Sequence, residues 1–599
     1  MKLLEHRLNL PERFEVPRLE RVNGNTLLIC NLLGWGANLH FLTNGGGAVH
    51  LNEYIYPLKT LNDLTTGVPL SFVVHETLAS YAAPAHYLAG NRLAVCNLTT
   101  GGAPDLANSA ATEVRMHNTP AIYLAALSAS TAGNNAPLQD TTSNGFNTVA
   151  TMMARHGDGC QVVDSVNSLE GVLYNARNRL MDSKPVVILY HPDILKQEVS
   201  WFQVPWEERP RQMDEDALQE FLVHFTNQTN SKRVVLFVGE EAARYERMPD
   251  LTTALAKLLK APTLYTQIGV SGVSSDNEFA AGYLMLGHND FSRKLWQSLS
   301  SEDTLICIGF DPFEYSTNQE KIKANTVVIT NYNNPYGSVN GTFEHRVEEG
   351  RRYMHINGDL ELVVKGMIDN LRTQQLIRPH VEIPKNLNDV SYKAPPKQFT
   401  NMVRFYESFA SLLEPGTIYI GDVCTGYKDF QRVTQRPIPG VKVLYFHQGS
   451  LMGQGGGEAL GVRFARPDAH VHLVTGDGCF RYFGATLGEM KNLGLVVWLL
   501  DNRTHALVSW GLSKIKPYMK AERKLTDVTP IDYVRMAKAQ RWDGFNLRPD
   551  LDNIEKIMNR ANEPGNTKSM LVRVKMHPDD DLGQNPRLDT LGRQGQANL

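Results

Sequence analysis

Cysteine is scarce in this chain: six among 599 residues, Cys30, Cys96, Cys160, Cys307, Cys424 and Cys479, with no CxxC pair and no zinc spacing. That excludes a disulfide scaffold and a zinc ribbon, and the thiols are expected to be reduced and mostly buried. Charge of one sign is also missing. Sixty Lys and Arg stand against 63 Asp and Glu, for a net charge of −3 and no long run of either sign. Neither nucleic acid nor an anionic membrane surface is therefore an expected partner. No stretch reaches 18 apolar residues, and the opening MKLLEHRLNLPERFEVPR is too charged for a signal-peptide core. A cytoplasmic protein without membrane spans is expected. The last absence is a GxGxxG turn followed by an acidic residue about 20 positions on, which removes the main argument for a nicotinamide-dependent oxidoreductase.

What is present is an ordinary globular composition, 42% apolar and 21% charged, in a chain too long for one core. About three domains of roughly 150 to 200 residues each are expected. Apolar runs such as 185–190, 233–238 and 417–420 read as strands, and strands alternate with helical patterns throughout. The fold class is therefore α/β, with three doubly wound parallel-sheet domains. The Pro-, Trp- and charge-rich WFQVPWEERPRQMDEDA from Trp201 sets a first boundary near residue 200. IRPHVEIPKNLNDVSYKAPPKQFT, from Ile377, has four prolines and no periodicity, and reads as an exposed linker. Domains are thus expected over 1–200, 201–385 and 395–599.

The third region carries the clearest chemistry. From Val471 to Leu507 the chain reads as an apolar strand, a Gly476-Asp477-Gly478 turn, a helix, a second apolar strand and Asp501-Asn502. Parallel strands in a βαβ unit end at the same sheet edge, so Asp477 and Asn502 can share one cation. With the backbone carbonyl of Thr504 they offer hard oxygen ligands, which suit Mg²⁺. The two glycines permit a tight turn and close approach of a diphosphate to backbone amides. Gly-Asp-Gly is also an ordinary turn sequence.

In the first region an apolar strand over 69–74 runs directly into His75-Glu76 and an alanine-rich helical segment, ETLASYAAPAHYLAG. A carboxylate at the amino end of a helix complements the helix dipole, and this is the ordinary reading of Glu76. Upstream of the GDG turn, FHQGSLMGQGGGEALG places five glycines between 449 and 457. Because each glycine costs roughly 1 kcal/mol inside a helix, they read as places where a ligand approaches the backbone.

Together these stretches resemble the thiamine diphosphate-dependent enzymes of the acetolactate synthase and pyruvate decarboxylase superfamily. The family motif is GDG followed some two dozen residues later by an Asn pair, often at a spacing a residue or two longer. Here Asp501-Asn502 stands for Asn-Asn, and Asn502 keeps the metal-binding role that the second Asn has in the family. LAVCNLTTGGAPDLANSAATEVRMHNTPAIYLAAL, from Leu93, resembles the family's strand, Thr-Ser-Gly-Pro-Gly loop, helix and returning strand, with Thr99-Thr100-Gly101-Gly102 in the loop. His75-Glu76 then falls where the family has its essential glutamate. By the same alignment Met452 would support the bent cofactor and the Ser450 carbonyl would meet its 4′-amino group. Asp422-Val423-Cys424, and Cys479 after the GDG turn, would line the diphosphate.

The resemblance implies a pyrimidine-binding domain carrying the activating glutamate, a central Rossmann-like domain and a diphosphate- and Mg-binding domain. It implies thiamine diphosphate and Mg²⁺ as cofactors, a small 2-oxo acid donor with a carbonyl acceptor, and a homodimer or homotetramer with active sites between subunits. Nothing in the central region gives a reason to expect FAD or a nucleotide. The decarboxylase branch has adjacent histidines in the loop after the fourth strand. SASTAGNNAPLQDTTSNGFN, from Ser128, has Asn134, Asn135, Gln139 and Asp140 instead, which resembles the acetolactate synthase branch. A carboligase is expected, with simple release of an aldehyde as the alternative. His75, His447 and Gln448 are further candidates on the substrate side, although a lone histidine is more often structural. A relative that has lost catalysis and serves as a regulatory subunit is a third reading, against which Glu76 argues.

Overall fold

The computed structural model describes residues 14–16, 18, 20–55, 69–133, 135–207, 211–229, 232–516, 525–588 and 590. Its first strands are β1 (Arg21–Asn23), β2 (Leu39–Leu42), β3 (Leu70–Val73), β4 (Val95–Leu98), β5 (Ile122–Ala126), β6 (Cys160–Val163), β7 (Val186–Tyr190) and β8 (Glu198–Ser200). β1 and β8 form a small antiparallel ribbon, and the other six make a parallel sheet in the order β3-β2-β4-β5-β7-β6.

The central sheet contains β9 (Val234–Val238), β10 (Thr263–Tyr265), β11 (Ala280–Tyr283), β12 (Thr304–Ile308), β13 (Asn325–Thr330) and β14 (Tyr353–Asn357). Its order is β11-β10-β9-β12-β13-β14. The last sheet contains β15 (Thr417–Gly421), β16 (Lys442–Leu444), β17 (His470–Gly476), β18 (Leu495–Asp501), β19 (Asp543–Asn546) and β20 (Met570–Lys575), in the order β16-β15-β17-β18-β20-β19. Every pairing within the three sheets is parallel. The expected α/β class with three doubly wound sheets is what the chain forms, and the first and last sheets share one strand order. Central strands such as β5, β7 and β18 are buried along their whole length. A parallel sheet covered on both faces requires this, and it explains why these strands read as unbroken apolar runs.

By compactness the chain divides into two units. One comprises Met1–Arg209, Phe446–Ala469 and Phe483–Leu493; the other comprises Pro210–Tyr445, His470–Tyr482 and Gly494–Leu599. The central and last sheets thus belong to one unit, and one continuous apolar core runs from Leu236, Ile306 and Leu360 to Phe405, Tyr419 and Trp498. The segment from Ile377 is irregular and mostly exposed, as expected, but it is anchored at single residues. Leu387 is buried and its amide donates to Gln435 (2.7 Å), while Arg436 donates to the Pro384 and Lys385 carbonyls. Single-residue anchors fasten this strap, and they leave no periodic trace in a sequence. Among the described residues no helix is long and apolar enough to cross a membrane.

Candidate cofactor and active site

In the first unit, β3 passes through Val74 and His75 into the helix Glu76–Gly90. His75 caps that helix: its Nδ1 accepts from the Thr77 amide at 3.3 Å, and its Nε2 lies 3.4 Å from the Glu76 carboxylate. Both ring nitrogens therefore face the helix end. The Glu76 side chain remains one-fifth exposed, so a ligand can reach it.

Two further loops meet at this sheet's carboxyl edge, beside the point between β2 and β4 where the strand order reverses. After β4, Thr100 donates its hydroxyl to Gln139 Oε1 at 2.8 Å, and a Cβ on Gly101 would stand 2.8 Å from the Gln139 Cβ. Gly101 itself has φ +77°, which suits a residue without a side chain. Gln139 is thereby folded back onto the Thr99–Gly102 loop. From the β2 side, Gly45 and Gly47 pack on Thr99 and Thr100 so closely that Cβ atoms there would stand 2.1 and 2.3 Å from them. Asp140 closes a local turn by accepting from the Thr142 amide at 2.8 Å. Asn135 lies in the same loop, and Asn134 lies outside the described residues.

The glycine-rich segment gives a different result from the one expected. Residues Gln454–Ala465 form a buried helix running alongside Glu76–Gly90. A Cβ on Gly457 would stand 2.7 Å from the Leu78 carbonyl oxygen, one on Gly461 2.1 Å from that of Ala82, and one on Gly456 2.7 Å from the Phe483 ring. These glycines let two helices and an aromatic ring pack backbone to backbone, so helix contact rather than ligand approach accounts for them. Ser450 (φ 49°) and Gly453 (φ 87°) both take the left-handed conformation ahead of that helix, on either side of Met452. His447 is also not positioned as a substrate group. It is buried, its ring packs edge-on to His117 at 4.9 Å, and burial lowers its pKa to about 3.

In the second unit, the β17–β18 register runs from Val471 opposite Leu495 to Gly476 opposite Leu500. Asp477 and the Asp501-Asn502 pair therefore leave the sheet at adjacent points. Asp477 Oδ2 accepts from the Arg503 amide at 2.8 Å and Oδ1 from the Gly478 amide at 3.0 Å. Even so, burial, followed by the nearby Asp501 charge, pushes its carboxyl up to about 7. Asp501 turns away to Arg573, whose Nε donates at 2.6 Å. Asn502 Oδ1 accepts from the Thr504 amide at 3.1 Å, and the Thr504 hydroxyl bonds Thr526. One carboxylate short of counter-charge, one amide oxygen and neighbouring carbonyls fit a small hard cation that keeps part of its coordination for ligand oxygens. Among the described residues no group of three His, Cys, Asp or Glu side chains could hold a metal.

The loop after β15 interlocks with this turn. Asp422 accepts from Thr475 at 2.8 Å, Cys479 donates to the Val423 carbonyl at 2.8 Å, and Cys424 packs under Gly476. The helix expected after GDG is broken: Asp477–Phe480 makes a single turn, and the next helical turns come only at Gly484–Thr486 and Leu487–Met490. Phe483 lies between these turns, its ring seated against Gly456. Sequence reasoning missed Glu113 and Tyr81, which bind the segment before Ser450. The available signal was an acidic residue on the apolar stripe Ala107, Ala110, Ala111 and Val114.

A family model described as the thiamine pyrophosphate enzyme central domain matches residues 229–339, and one described as the thiamine pyrophosphate enzyme C-terminal TPP binding domain matches residues 438–574. No curated protein matches the chain. Matched in family order over the second and third sheets, and with the GDG turn inside the C-terminal match, the chain carries the central and C-terminal domains of a thiamine diphosphate-dependent enzyme, which supports the expected place in the acetolactate synthase and pyruvate decarboxylase superfamily.

Proposed function

We propose that this enzyme decarboxylates a small 2-oxo acid and transfers the resulting acyl-carbanion unit to a second carbonyl, as an acetolactate synthase-like carboligase. The two domain matches carry the coarser statement, thiamine diphosphate-dependent 2-oxo acid chemistry on small molecules. Bound thiamine diphosphate supplies the electron sink for cleaving the bond beside the donor carbonyl. In this reading Glu76 bonds the aminopyrimidine and holds the proton on which cofactor activation depends, with His75 steadying its carboxylate. Asp477, Asn502 and the Thr504 carbonyl hold Mg²⁺. Gly476, Gly478, Cys479 and Cys424 line the diphosphate, and Ser450 and Met452 hold the pyrimidine end.

The observation that carries carboligation is Gln139, bonded to Thr100 at the carboxyl edge that also bears Glu76. Its loop, from Leu127 to Asn147, offers amides and no imidazole. That loop would present no imidazole to donate a proton, and its carboxyl, Asp140, accepts from the Thr142 amide, which favours attack on a bound carbonyl over protonation. Exposed Leu106, Leu138 and Phe146 at the same edge support cover by a second copy of the chain, in a homodimer or homotetramer.

Two measurements test the reading. Glu76→Gln is expected to slow proton–deuterium exchange at cofactor C2 by about a hundredfold or more, with thiamine diphosphate affinity kept within about tenfold. An unchanged exchange rate eliminates Glu76 as activator. With pyruvate as donor and an aldehyde, ketone or second 2-oxo acid as acceptor, most consumed donor is expected in a coupled hydroxyketone or acetohydroxy acid. Free aldehyde as the main product with every acceptor class at saturation replaces this reading with simple decarboxylation.

A further inference from the structure

The segment Phe446–Ser450, just ahead of Met452, is held almost entirely through its backbone by side chains of the first unit. Gln454 donates to the Phe446 carbonyl, and the Phe446 amide donates to Glu458 at 3.3 Å. The His447 amide donates to His117 Nε2 at 3.3 Å. The central holder is Glu113, which is 1% exposed on the helix Ala103–Met116. Its Oε1 accepts from the Gly449 amide at 2.9 Å and its Oε2 from the Tyr81 hydroxyl at 2.8 Å. The amides of Gln448 and Ser450 also point to it. Three successive N–H groups converging on one carboxylate form an anion nest, and bonds to a charged acceptor are about twice as strong as neutral ones. The fit is tight: a Cβ on Gly449 would stand 2.7 Å from Glu113 Oε2.

We propose that Glu113 is a positioning residue for the cofactor-binding loop: seated beneath Gln448–Ser450, its carboxylate fixes the turn that sets Ser450 and Met452 toward the aminopyrimidine. This rests on the reading of that loop as the pyrimidine-side support. With the amides of 448–450 committed to Glu113, the left-handed turn at Ser450 (φ 49°) is held in a conformation that an unbound serine seldom adopts. Gln is the discriminating replacement. It keeps the volume but offers one acceptor oxygen where the three amides and the Tyr81 hydroxyl supply four donors, and it turns an N–H₂ group toward N–H groups.

Protonation acts in the same direction as that replacement. Burial raises the Glu113 carboxyl to about 7, against the lowering effect of its own hydrogen bonds. The titratable groups facing it are Tyr81 on the helix Glu76–Gly90, Tyr123 on β5, His117 on its own helix and His447 in the loop, with Glu458 across Tyr81. Burial keeps His447 neutral and pushes the two tyrosines well above their ordinary range, while Glu458 accepts from the Phe446 amide at the far end of the segment.

Hydrogen exchange read by mass spectrometry on the full-length apo protein tests the clamp directly. In Glu113→Gln the amides of 448–450 are expected to exchange about tenfold faster or more at pH 7, while those of β5 stay unchanged. After correction for intrinsic rates, wild-type protection of the loop is expected to fall as pH drops below about 7, and the variant is expected to lack that step. In the loaded enzyme the same change slows C2 exchange by about tenfold or more while cofactor affinity moves less than about fivefold. Glu113→Asp, which keeps the charge, is expected to recover part of the loss. Wild-type loop protection in Glu113→Gln overturns the proposal. Should Glu113→Gln not fold, Gly449→Ala displaces the carboxylate from the other side and must show the same loop signature; its absence is equally fatal. A wild-type chain that binds no thiamine diphosphate overturns the proposed function and this inference together. A variant that matches wild type in a chain that does bind and activate the cofactor overturns this inference alone.

Discussion

At the carboxyl edge of the central sheet, Glu240, Glu241 and Asp311 are buried among partners from their own chain, whereas at the corresponding edge of the last sheet Asp477 is buried with backbone amides and a second aspartate. Glu241 accepts from the Asn331 amide at 3.1 Å and the Tyr245 hydroxyl at 3.2 Å, with Arg244 nearby. Burial dominates all the same and raises Glu241 to about 8; Glu240 is raised too, by burial and then by Asp311. Glu240 and Glu241 are thereby biased toward their neutral forms. The strand order reverses between β9 and β12 in the central sheet and between β15 and β17 in the last, the places where open α/β sheets receive ligands. In the central sheet Gly239 and Gly309 meet there so closely that a Cβ on Gly239 would stand 2.2 Å from the Gly309 carbonyl oxygen. In the last sheet the same place bears Asp422 and Asp477. One edge is closed by its own backbone; the other concentrates acid that a cation would neutralise.

The largest expected effect separates the two edges by function. Asp477→Ala is expected to weaken Mg²⁺-dependent thiamine diphosphate binding by roughly a hundredfold or more, and Asn502→Ala by a similar factor, because the diphosphate is held through a shared ion. Glu241→Gln is expected to leave that affinity within about twofold, since it touches neither loop. Calorimetric titration of the four proteins reads both. If Asp477→Ala keeps wild-type affinity, the last sheet's edge is no more a ligand site than the central one.

Much of this arrangement was legible in the sequence. Buried parallel strands are apolar runs, and a residue placed at a strand's end must lie at the sheet edge. That is why Glu76, Asp477 and Asn502 could be located by strand and helix patterns alone. The glycines at 456, 457 and 461 could not be interpreted in the same way, because a helix pressed against another backbone and a ligand pressed against a backbone demand the same missing Cβ. Glu113 was hidden for another reason. Its partners lie 32 residues before it and 336 after it, and no local pattern reports a contact of that separation. The order β11-β10-β9-β12-β13-β14, which differs from that of the other two sheets, likewise depends on long-range pairing that strand patterns do not encode.

The second prediction concerns stability and pH. A carboxyl raised in the folded state binds a proton that the unfolded chain has already released, so the native state loses stability as pH rises from the ordinary value of about 4.3 toward about 8. The apo enzyme is therefore expected to melt several degrees lower at about pH 8.5 than at about pH 5.5. Adding Mg²⁺ and thiamine diphosphate should offset the Asp477 share, because the cation takes the place of the proton. It should leave the Glu240 and Glu241 share in place. Glu241→Gln should flatten the apo pH dependence while preserving the ligand-induced rise in melting temperature. A pH profile unchanged by Glu241→Gln would show that the central edge admits solvent or counter-ions, contrary to its description as closed.

The smallest effect is expected from Cys479, which sequence reasoning placed against the diphosphate and which the structure ties to the neighbouring loop. Its thiol donates to the Val423 carbonyl, while Asp422 on the same loop accepts from Thr475, so two independent bonds hold the β15 and β17 loops together. A thiol is a weak donor. Cys479→Ala should therefore loosen one of two ties and lower thiamine diphosphate affinity by only about two- to fivefold. Cys479→Ser, which retains a donor, should fall between the two. Stability should change little, since the apolar core under both loops is untouched. A loss in Cys479→Ala as large as that in Asp477→Ala would mean that the thiol meets the cofactor directly, and the second edge would then owe its affinity to contacts beyond the acid it gathers.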